Sequence, residues 1–410
     1  MEKLVDYIIE LDFNELDTYN FPQNELFGLN VKYKNILYCF IIKFRPKSDN
    51  LICFGPGAHQ RDEVKTSGES INPPYFDRWS WHKYFNDSFI AYSDPMFLYD
   101  EDIVLGWFIG DKYQWYLETI SLIIKKLVKN QQINYEKILF FGSSGGGFAS
   151  VCLGTLIQGS KVMVNNAQFF ILNFVSPNHV LKTLFRILEK DFQLRKEEII
   201  QLIPHRFDVI ELFKKEKFVP EIIYYVNAES KADINTQTLP FINKISKLNF
   251  GKNKLTIHFY HEKKKRPHNP LPNNLTIKYI KNYLKSNNEI QIKNIFIKIP
   301  NGFQEVLSKA DTKISNNSVS INFKVYENNK IKDCIEDYKI KKYNDNLSVT
   351  FSKFETKDLT IYKTIINEHT NIVHFWFSYL QDVYDIYTWN ANKNINSIIL
   401  NLLESAKFID

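Results

Sequence analysis

Residues 138–150 read ILFFGSSGGGFAS, and they carry the strongest structural signal in the chain. The four apolar residues predict a buried strand, and the small residues at the end favour a closely packed helix. Between them lies a G-x-S-x-G turn centred on Ser144. Glycines are needed there because the serine backbone is strained and flanking side chains would collide with neighbouring elements. The pattern predicts that Ser144 is a nucleophile held clear of the sheet, with the backbone N–H of Gly145 directed at a developing oxyanion.

Other interpretations of this turn stay open. Ser143 is a rival nucleophile, although the spacing favours Ser144. A glycine-rich phosphate loop would require a G-K-[ST] ending, which this segment lacks. A purely structural turn would also use glycines.

An oxyanion site needs a second donor, which is expected from the loop after an earlier strand. Gly55-Pro56-Gly57-Ala58-His59 follows the apolar run 51–54 and has that position. The backbone N–H of Gly57 or Ala58 is the candidate donor. The alternative is a plain Pro-Gly turn.

From residue 50 onward, short apolar runs alternate with segments of helical periodicity. Strands are predicted at 51–54, 88–92, 137–141, 161–164, 221–226 and 255–260, and helices at 115–129, 146–156 and 276–284. This alternation predicts an α/β fold with a mostly parallel sheet and helices on both faces.

The pattern also predicts the domain organisation. Residues 1–48 are expected to be a β-rich N-terminal segment, with strands near 4–11 and 36–44 joined by a polar connection. Residues 49–285 would form the catalytic domain, interrupted at 167–219 by a helical cap or insertion. Residues 286–410 alternate polar and apolar side chains and would form a separate, smaller β-rich domain.

A serine hydroxyl requires a base, and the base requires a carboxylate to fix its tautomer. His268 precedes the last helix, where the base is expected in this chain order; His261 and His258, in or near a strand, are alternatives. The acid should follow the strand at 221–226, where Glu229 and Asp233 both qualify. Asp94 is a more distant candidate, and Asp233 is equally compatible with a helix cap.

Composition limits the other function classes. The 410 residues carry a formal net charge of +6, a small excess that does not favour nucleic-acid binding. Four cysteines fit neither a zinc site nor a dense disulfide framework, so a reducing, cytoplasmic location is expected, without metal or tightly bound cofactor. No secretory signal and no membrane span is expected, although peripheral membrane association remains possible.

The chain also resembles α/β-hydrolase-like proteins encoded in bacterial surface-polysaccharide loci, some of which are capsule O-acetyltransferases. The resemblance covers roughly residues 50–285 and rests on Phe76-Asp77-Arg78-Trp79-Ser80-Trp81, Tyr92-Ser93-Asp94-Pro95, Gly106-Trp107-Phe108-Ile109-Gly110, the turn around Ser144, Val164-Asn165-Asn166-Ala167-Gln168 and His268-Asn269-Pro270. It implies a Ser–His–acid triad and acyl transfer to or from a carbohydrate, with acetyl-CoA as donor for a transferase. An Asp tends to occupy the place of Ser230 in such relatives, so Glu229 and Asp233 both remain candidates for the acid.

Two functions follow as hypotheses. The first is a serine-dependent acyltransferase or esterase acting on a carbohydrate, as in O-acetylation of a bacterial surface polysaccharide. The second is a non-catalytic glycan-binding or scaffold protein that retains the hydrolase fold. The tryptophans 79, 81 and 107 would be core residues or a sugar-stacking platform. The sequence leaves the oligomeric state open.

Overall fold

The structure is a computed structural model. It describes residues 1–46, 48, 50–59, 72–174, 178–250, 254–263 and 266–286. Beyond these it describes residues 289–292, 295–298, 304–306, 312–315, 320–326, 348–355, 360–367, 372–379, 382–388, 398–399 and 407–408. Contacts divide the chain into two units, Met1–Ile277 and Lys278–Asp410.

Nine strands of the first unit form one sheet. They are β1 to β9: Ile8–Asp12, Phe27–Tyr33, Ile36–Lys43, Leu51–Phe54, Ser88–Tyr92, Ile138–Ser144, Lys161–Ala167, Glu221–Asn227 and Leu255–Tyr260. Their order is β1-β2-β3-β5-β4-β6-β7-β8-β9. Only β3 runs against its neighbours β2 and β5, and every other adjacent pair is parallel.

Eight α-helices accompany these strands. They are α1 to α8: Tyr116–Asn130, Gly145–Leu156, Asn178–Phe192, Lys196–Leu202, Val209–Glu216, Lys231–Asp233, Leu239–Ser246 and Asn273–Ser286. Short 3-10 helices occur at Phe13–Asp17, Trp79–Lys83, Pro95–Leu98, Tyr135–Lys137, Ile171–Asn173 and Pro204–Arg206, and a π-helix at Ile234–Thr238. In the described part of the chain, no helix combines the length and hydropathy needed to cross a bilayer.

The apolar patterns account for these elements. The side chains of α1 that repeat at helical spacing are fully buried: Leu117, Ile120, Ile123, Ile124 and Leu127. Strands β4 and β5 are buried at every position, as expected for central strands covered on both faces. Their bounds match the predicted runs. The predicted fold class is confirmed as a large, mostly parallel sheet with helices, accompanied by a smaller antiparallel β unit.

The N-terminal segment contains one strand that the sequence did not predict. Strand β2 lies in the presumed polar connection and pairs with both β1 and β3. Its apolar residues Phe27, Leu29 and Val31 are fully buried, while glycine, asparagine and lysine alternate with them and concealed the pattern. Residues 1–48 therefore contribute three strands to the main sheet.

The second unit is antiparallel. Its strands are β10 to β19: Glu289–Ile292, Ile295–Lys298, Gln304–Val306, Thr312–Ser315, Ser320–Tyr326, Ser348–Glu355, Thr360–Asn367, Ile372–Tyr379, Asp382–Thr388 and Lys407–Phe408. Seven form a sheet in the order β12-β13-β14-β18-β17-β16-β15, and three form a sheet in the order β10-β11-β19. Within this unit, a buried hydrogen bond joins His374 to Asp385 with 2.9 Å between Nδ1 and Oδ1.

Between β6 and α2 the backbone is packed closely enough to require glycine. A Cβ on Gly142 would lie 2.0 Å from the carbonyl oxygen of Gly146, and backbone cannot move aside as a flexible side chain would. We expect Gly142→Ala to lower the free energy of unfolding by about 3 kcal/mol or more, measured by urea denaturation. Gly57→Ala is the matched control, because its nearest neighbour would be 3.7 Å away. Equal stability of the two variants would contradict the described packing.

Candidate active site

Ser144 lies at the junction of β6 and α2 in a strained conformation. Its φ is 53° and its ψ is −125°, and the pairing register with β7 shifts between Ser143 and Ser144. Left-handed backbone of this kind costs roughly 1–3 kcal/mol for a residue with a side chain and is characteristic of functional sites. The turn is possible because Gly147 packs against Ala167, where an added Cβ would be 2.6 Å from the alanine Cβ. Ser144 remains partly exposed, whereas Ser143 is buried.

The structure brings His268 to Ser144. Nε2 of His268 is 2.9 Å from Oγ of Ser144, across 124 residues of sequence. On the other side of the ring, Nδ1 is 2.9 Å from Oδ1 and 2.8 Å from Oδ2 of Asp233. The Asp233 side chain is 8% exposed and that of His268 is 43% exposed, so the carboxylate is enclosed while the imidazole is accessible to solvent. This is the hydroxyl–imidazole–carboxylate arrangement that nucleophilic catalysis by serine requires.

The other titratable candidates lie elsewhere. Glu229 contacts His261, with 2.5 Å between Oε1 and Nε2, and is not brought to His268. His258 stacks on Tyr225 at 4.7 Å between ring centroids. The structure therefore separates the two predicted acids and places only Asp233 beside the imidazole.

Asp94 is buried and bonded to the backbone of the loop that follows it. Its carboxylate accepts hydrogen bonds from the backbone N–H groups of Met96 and Phe108, at 2.9 and 2.8 Å. Burial raises the pKa of Asp94 to about 7, against the effect of these two bonds. Asp94 thus holds the loop that contains Trp107 and Phe108, which both have positive φ.

Asp233 is held in position by hydrogen bonds to residues three positions before it and five positions after it. The hydroxyl of Ser230, one turn earlier, donates to Oδ2 of Asp233 at 2.6 Å. The π-helix Ile234–Thr238 begins at the next residue, and within it Thr238 donates to the Asp233 carbonyl at 3.1 Å. π-helical turns are rare and frequently mark functional sites. Asp233 is therefore oriented toward His268 and does not cap the helix.

Two asparagines at the end of β7 hold the histidine loop, a role that sequence reasoning missed. Nδ2 of Asn166 donates to the carbonyl of His268 at 3.0 Å, and its Oδ1 accepts from the backbone of Asn227 at 2.9 Å. Oδ1 of Asn165 accepts from the N–H of Leu271 at 2.6 Å. Consecutive asparagines at the end of a predicted strand were the available signal, because that edge of the sheet carries the site.

The structure describes the surroundings of two predicted oxyanion donors, Gly145 and Gly57. Gly145 begins α2 directly after Ser144, as expected. The N–H of Gly57, however, donates to Oδ2 of Asp77 at 2.9 Å, so it is already satisfied. Gly57 thus anchors Asp77, and the oxyanion roles of Gly145, Gly57 and Ala58 stay predictions.

Asp77 belongs to a second polar network beside the turn. Its Oδ1 lies 2.8 Å from Nε2 of His59, and the neighbouring Arg78 donates to Oγ of Ser143 at 2.8 Å. Burial disfavours the charged carboxylate, but the bonds from His59 and Gly57 and the nearby Arg78 outweigh it and hold the pKa of Asp77 below its usual value. Ser143, the rival nucleophile, is thus engaged by Arg78.

The tryptophans are mostly core residues. Trp81 and Trp107 are 5% and 0% exposed. The Arg78 guanidinium lies over the ring of Trp81 at 5.4 Å. This burial supports packing over sugar stacking for these two residues. Within the described residues, no group of three or more His, Cys, Asp or Glu side chains has the arrangement of a metal site.

No protein-family model matches the chain, and no curated protein matches its sequence. Solved structures do resemble it. The capsule O-acetyltransferase of Neisseria meningitidis serogroup A is 14% identical, covers 66% of this chain and 99% of its own, and superimposes with a TM-score of 0.45. Acetyl xylan esterase 1 from a Thermoanaerobacterium species is 11% identical, with coverages of 64% and 84% and a TM-score of 0.42. The glycosylation-associated Gap123 complex of Streptococcus agalactiae is 13% identical, with coverages of 62% of this chain and 45% of its own and a TM-score of 0.41.

Proposed function

We propose that this chain is a serine-dependent acyltransferase or esterase that acts on a carbohydrate. One observation carries the proposal: Ser144 Oγ, His268 and Asp233 form a continuous hydrogen-bonded series at 2.9 and 2.8 Å. The carbohydrate and acetyl specificity rest on the sequence resemblance over residues 50–285, which also favours acetyl-CoA as the donor for a transferase.

In the proposed reaction, Ser144, His268 and Asp233 each perform the step that their hydrogen bonds allow. The Ser144 hydroxyl attacks the carbonyl carbon of the acyl donor, and Nε2 of His268 takes its proton. Asp233 accepts from the Nδ1–H and stabilises the imidazolium that forms. The bond between the acyl carbon and the leaving group of the donor breaks, His268 returns the proton to that leaving group, and Ser144 holds the acyl group as an ester. A sugar hydroxyl or water, deprotonated by His268, then bonds to the acyl carbon, the ester bond to Oγ of Ser144 breaks, and His268 returns the proton to Oγ.

Labelling with a fluorophosphonate tests whether the serine is activated, because such probes react with serines that have an adjacent base. We expect one adduct, on Ser144 by peptide mass spectrometry, in the wild type and in Ser143→Ala. An adduct on Ser143, or none in either protein, would overturn the proposal. The second outcome would leave the non-catalytic glycan-binding or scaffold function.

Acceptor dependence distinguishes the two enzymatic versions. The protein is incubated with an activated acetyl ester or acetyl-CoA, with and without an oligosaccharide acceptor. Acetylated sugar as the product supports a transferase. Equal hydrolysis in both incubations, without acetylated sugar, supports an esterase.

A further inference from the structure

Gln168 lies beside the nucleophile and contacts it through both its backbone and its side chain. It follows the last residue of β7, and its backbone N–H donates to the Ser144 carbonyl at 3.1 Å. Its side-chain Nε2 lies 3.3 Å from Oγ of Ser144. Gln168 is 2% exposed, so its amide is held in place by its neighbours.

The orientation of that amide follows from its second partner. Nε1 of Trp107 lies 2.5 Å from Oε1 of Gln168. An indole nitrogen can only donate, so the atom facing Trp107 must be the amide oxygen, and the NH₂ group must face Ser144. Trp107 is itself fully buried, and the next residue is tied to Asp94 through the Phe108 N–H. The donor is therefore set before substrate arrives.

One of the other predicted oxyanion donors is engaged elsewhere, and Ala58 stays an alternative to Gln168. Two donors are needed to stabilise a tetrahedral oxyanion well, and Gly145 supplies one. The Gly57 N–H is bonded to Asp77 and is not free to supply the other. A side-chain amide nitrogen is not basic. Gln168 can therefore donate a hydrogen bond to the oxyanion and cannot take the proton that His268 carries.

We propose that Nε2 of Gln168 is the second oxyanion donor, with Trp107 as its positioning residue; this rests on the proposed function of Ser144. As Oγ bonds to the acyl carbon, its proton passes to His268 and the electron pair of the carbonyl π bond moves to oxygen. Gln168 and Gly145 donate to that oxygen. When the intermediate collapses, the pair returns, the bond to the leaving group breaks, and His268 protonates the leaving group.

Kinetics with an activated acetyl ester test this role. We expect Gln168→Ala to lower kcat by about 10²- to 10³-fold, the loss typical of one oxyanion donor, with little change in KM. Gln168→Glu keeps the shape and still accepts from Trp107 but places a negative charge at the oxyanion, so it should lose at least as much. A kcat within about threefold of wild type in either variant would overturn the proposal.

The positioning role of Trp107 is tested by a double-mutant cycle. Trp107→Phe keeps the aromatic packing and removes the indole donor, so the amide is free to turn. It should lower kcat in the wild-type background and have no effect when position 168 is alanine. Equal losses in both backgrounds would show that Trp107 acts on folding or elsewhere. If Gln168→Ala does not fold, the cycle is measured in the Gln168→Glu background.

The two proposals fail differently. Ser144 in folded Gln168 variants should still react with the fluorophosphonate, only more slowly. If wild-type Ser144 is not labelled and does not turn over, the proposed function fails and the role of Gln168 fails with it. If wild-type Ser144 is labelled and the Gln168 variants have wild-type rates, only the Gln168 proposal fails.

Discussion

Alanine at position 144 is expected to lower kcat for ester turnover by about 10⁶-fold, alanine at 268 by a similar factor, and both together by no more than either alone. The reason is that the two side chains perform a single step. The hydroxyl is a weak nucleophile without the base, and the base has no proton to remove without the hydroxyl 2.9 Å away. Steady-state kinetics of the two single variants and the double variant, at equal folded concentration, give the comparison.

Two neighbouring residues serve as controls. Ser143→Ala removes a hydroxyl one residue earlier that is bonded to Arg78, and His261→Ala removes an exposed imidazole that is paired with Glu229. Both should retain far more activity than the triad variants. If the fold losses in kcat of the two single variants multiply in the double variant, Ser144 and His268 act independently. That outcome is incompatible with removal of the Ser144 proton by His268.

The parts of this fold that the sequence predicted are those with local physical causes. The strained turn needs Gly142 because of a clash with backbone four residues away, and such short-range requirements are visible in a motif. The buried strands β4 and β5 are continuous or nearly continuous apolar runs with clear ends. The position of His268 in the loop before the last helix favoured it over His258 and His261, and its Nε2 lies 2.9 Å from Oγ of Ser144.

The parts that were not predictable depend on distant partners. The Gly57 N–H is occupied by Asp77, twenty residues later, and nothing in the Pro-Gly turn indicates that bond. The side-chain amide of Gln168 accepts a hydrogen bond from Trp107, sixty-one residues earlier, and nothing in the local sequence indicates that bond. Glu229 and Asp233 follow the same strand with similar local sequence, so only the three-dimensional course of the turn separates them.

The Asp233 carboxylate is expected to have the next largest effect on kcat. Asp233→Asn should lower kcat by about 10⁴-fold, because an amide that donates to Nδ1 favours the tautomer with its proton on Nε2, and that nitrogen then has no lone pair for the Ser144 proton. Glu229→Gln is the matched control. Its carboxylate contacts His261, so kcat should stay near the wild-type value. Comparable losses in the two variants would refute the assignment of Asp233.

The contact between Ser230 and Asp233 allows a sharper test by moving the carboxylate. Oγ of Ser230 lies 2.6 Å from Oδ2 of Asp233, so an aspartate at 230 would place its oxygens close to the same point. We expect Asp233→Ser to lose activity as Asp233→Asn does, and the double variant S230D/D233S to recover a measurable part of it. A carboxylate that restores kcat from the neighbouring turn can act only through its distance to the His268 ring. No recovery in a folded double variant, measured by kcat and thermal unfolding together, would mean that residue 233 contributes more than a charge placed beside the imidazole.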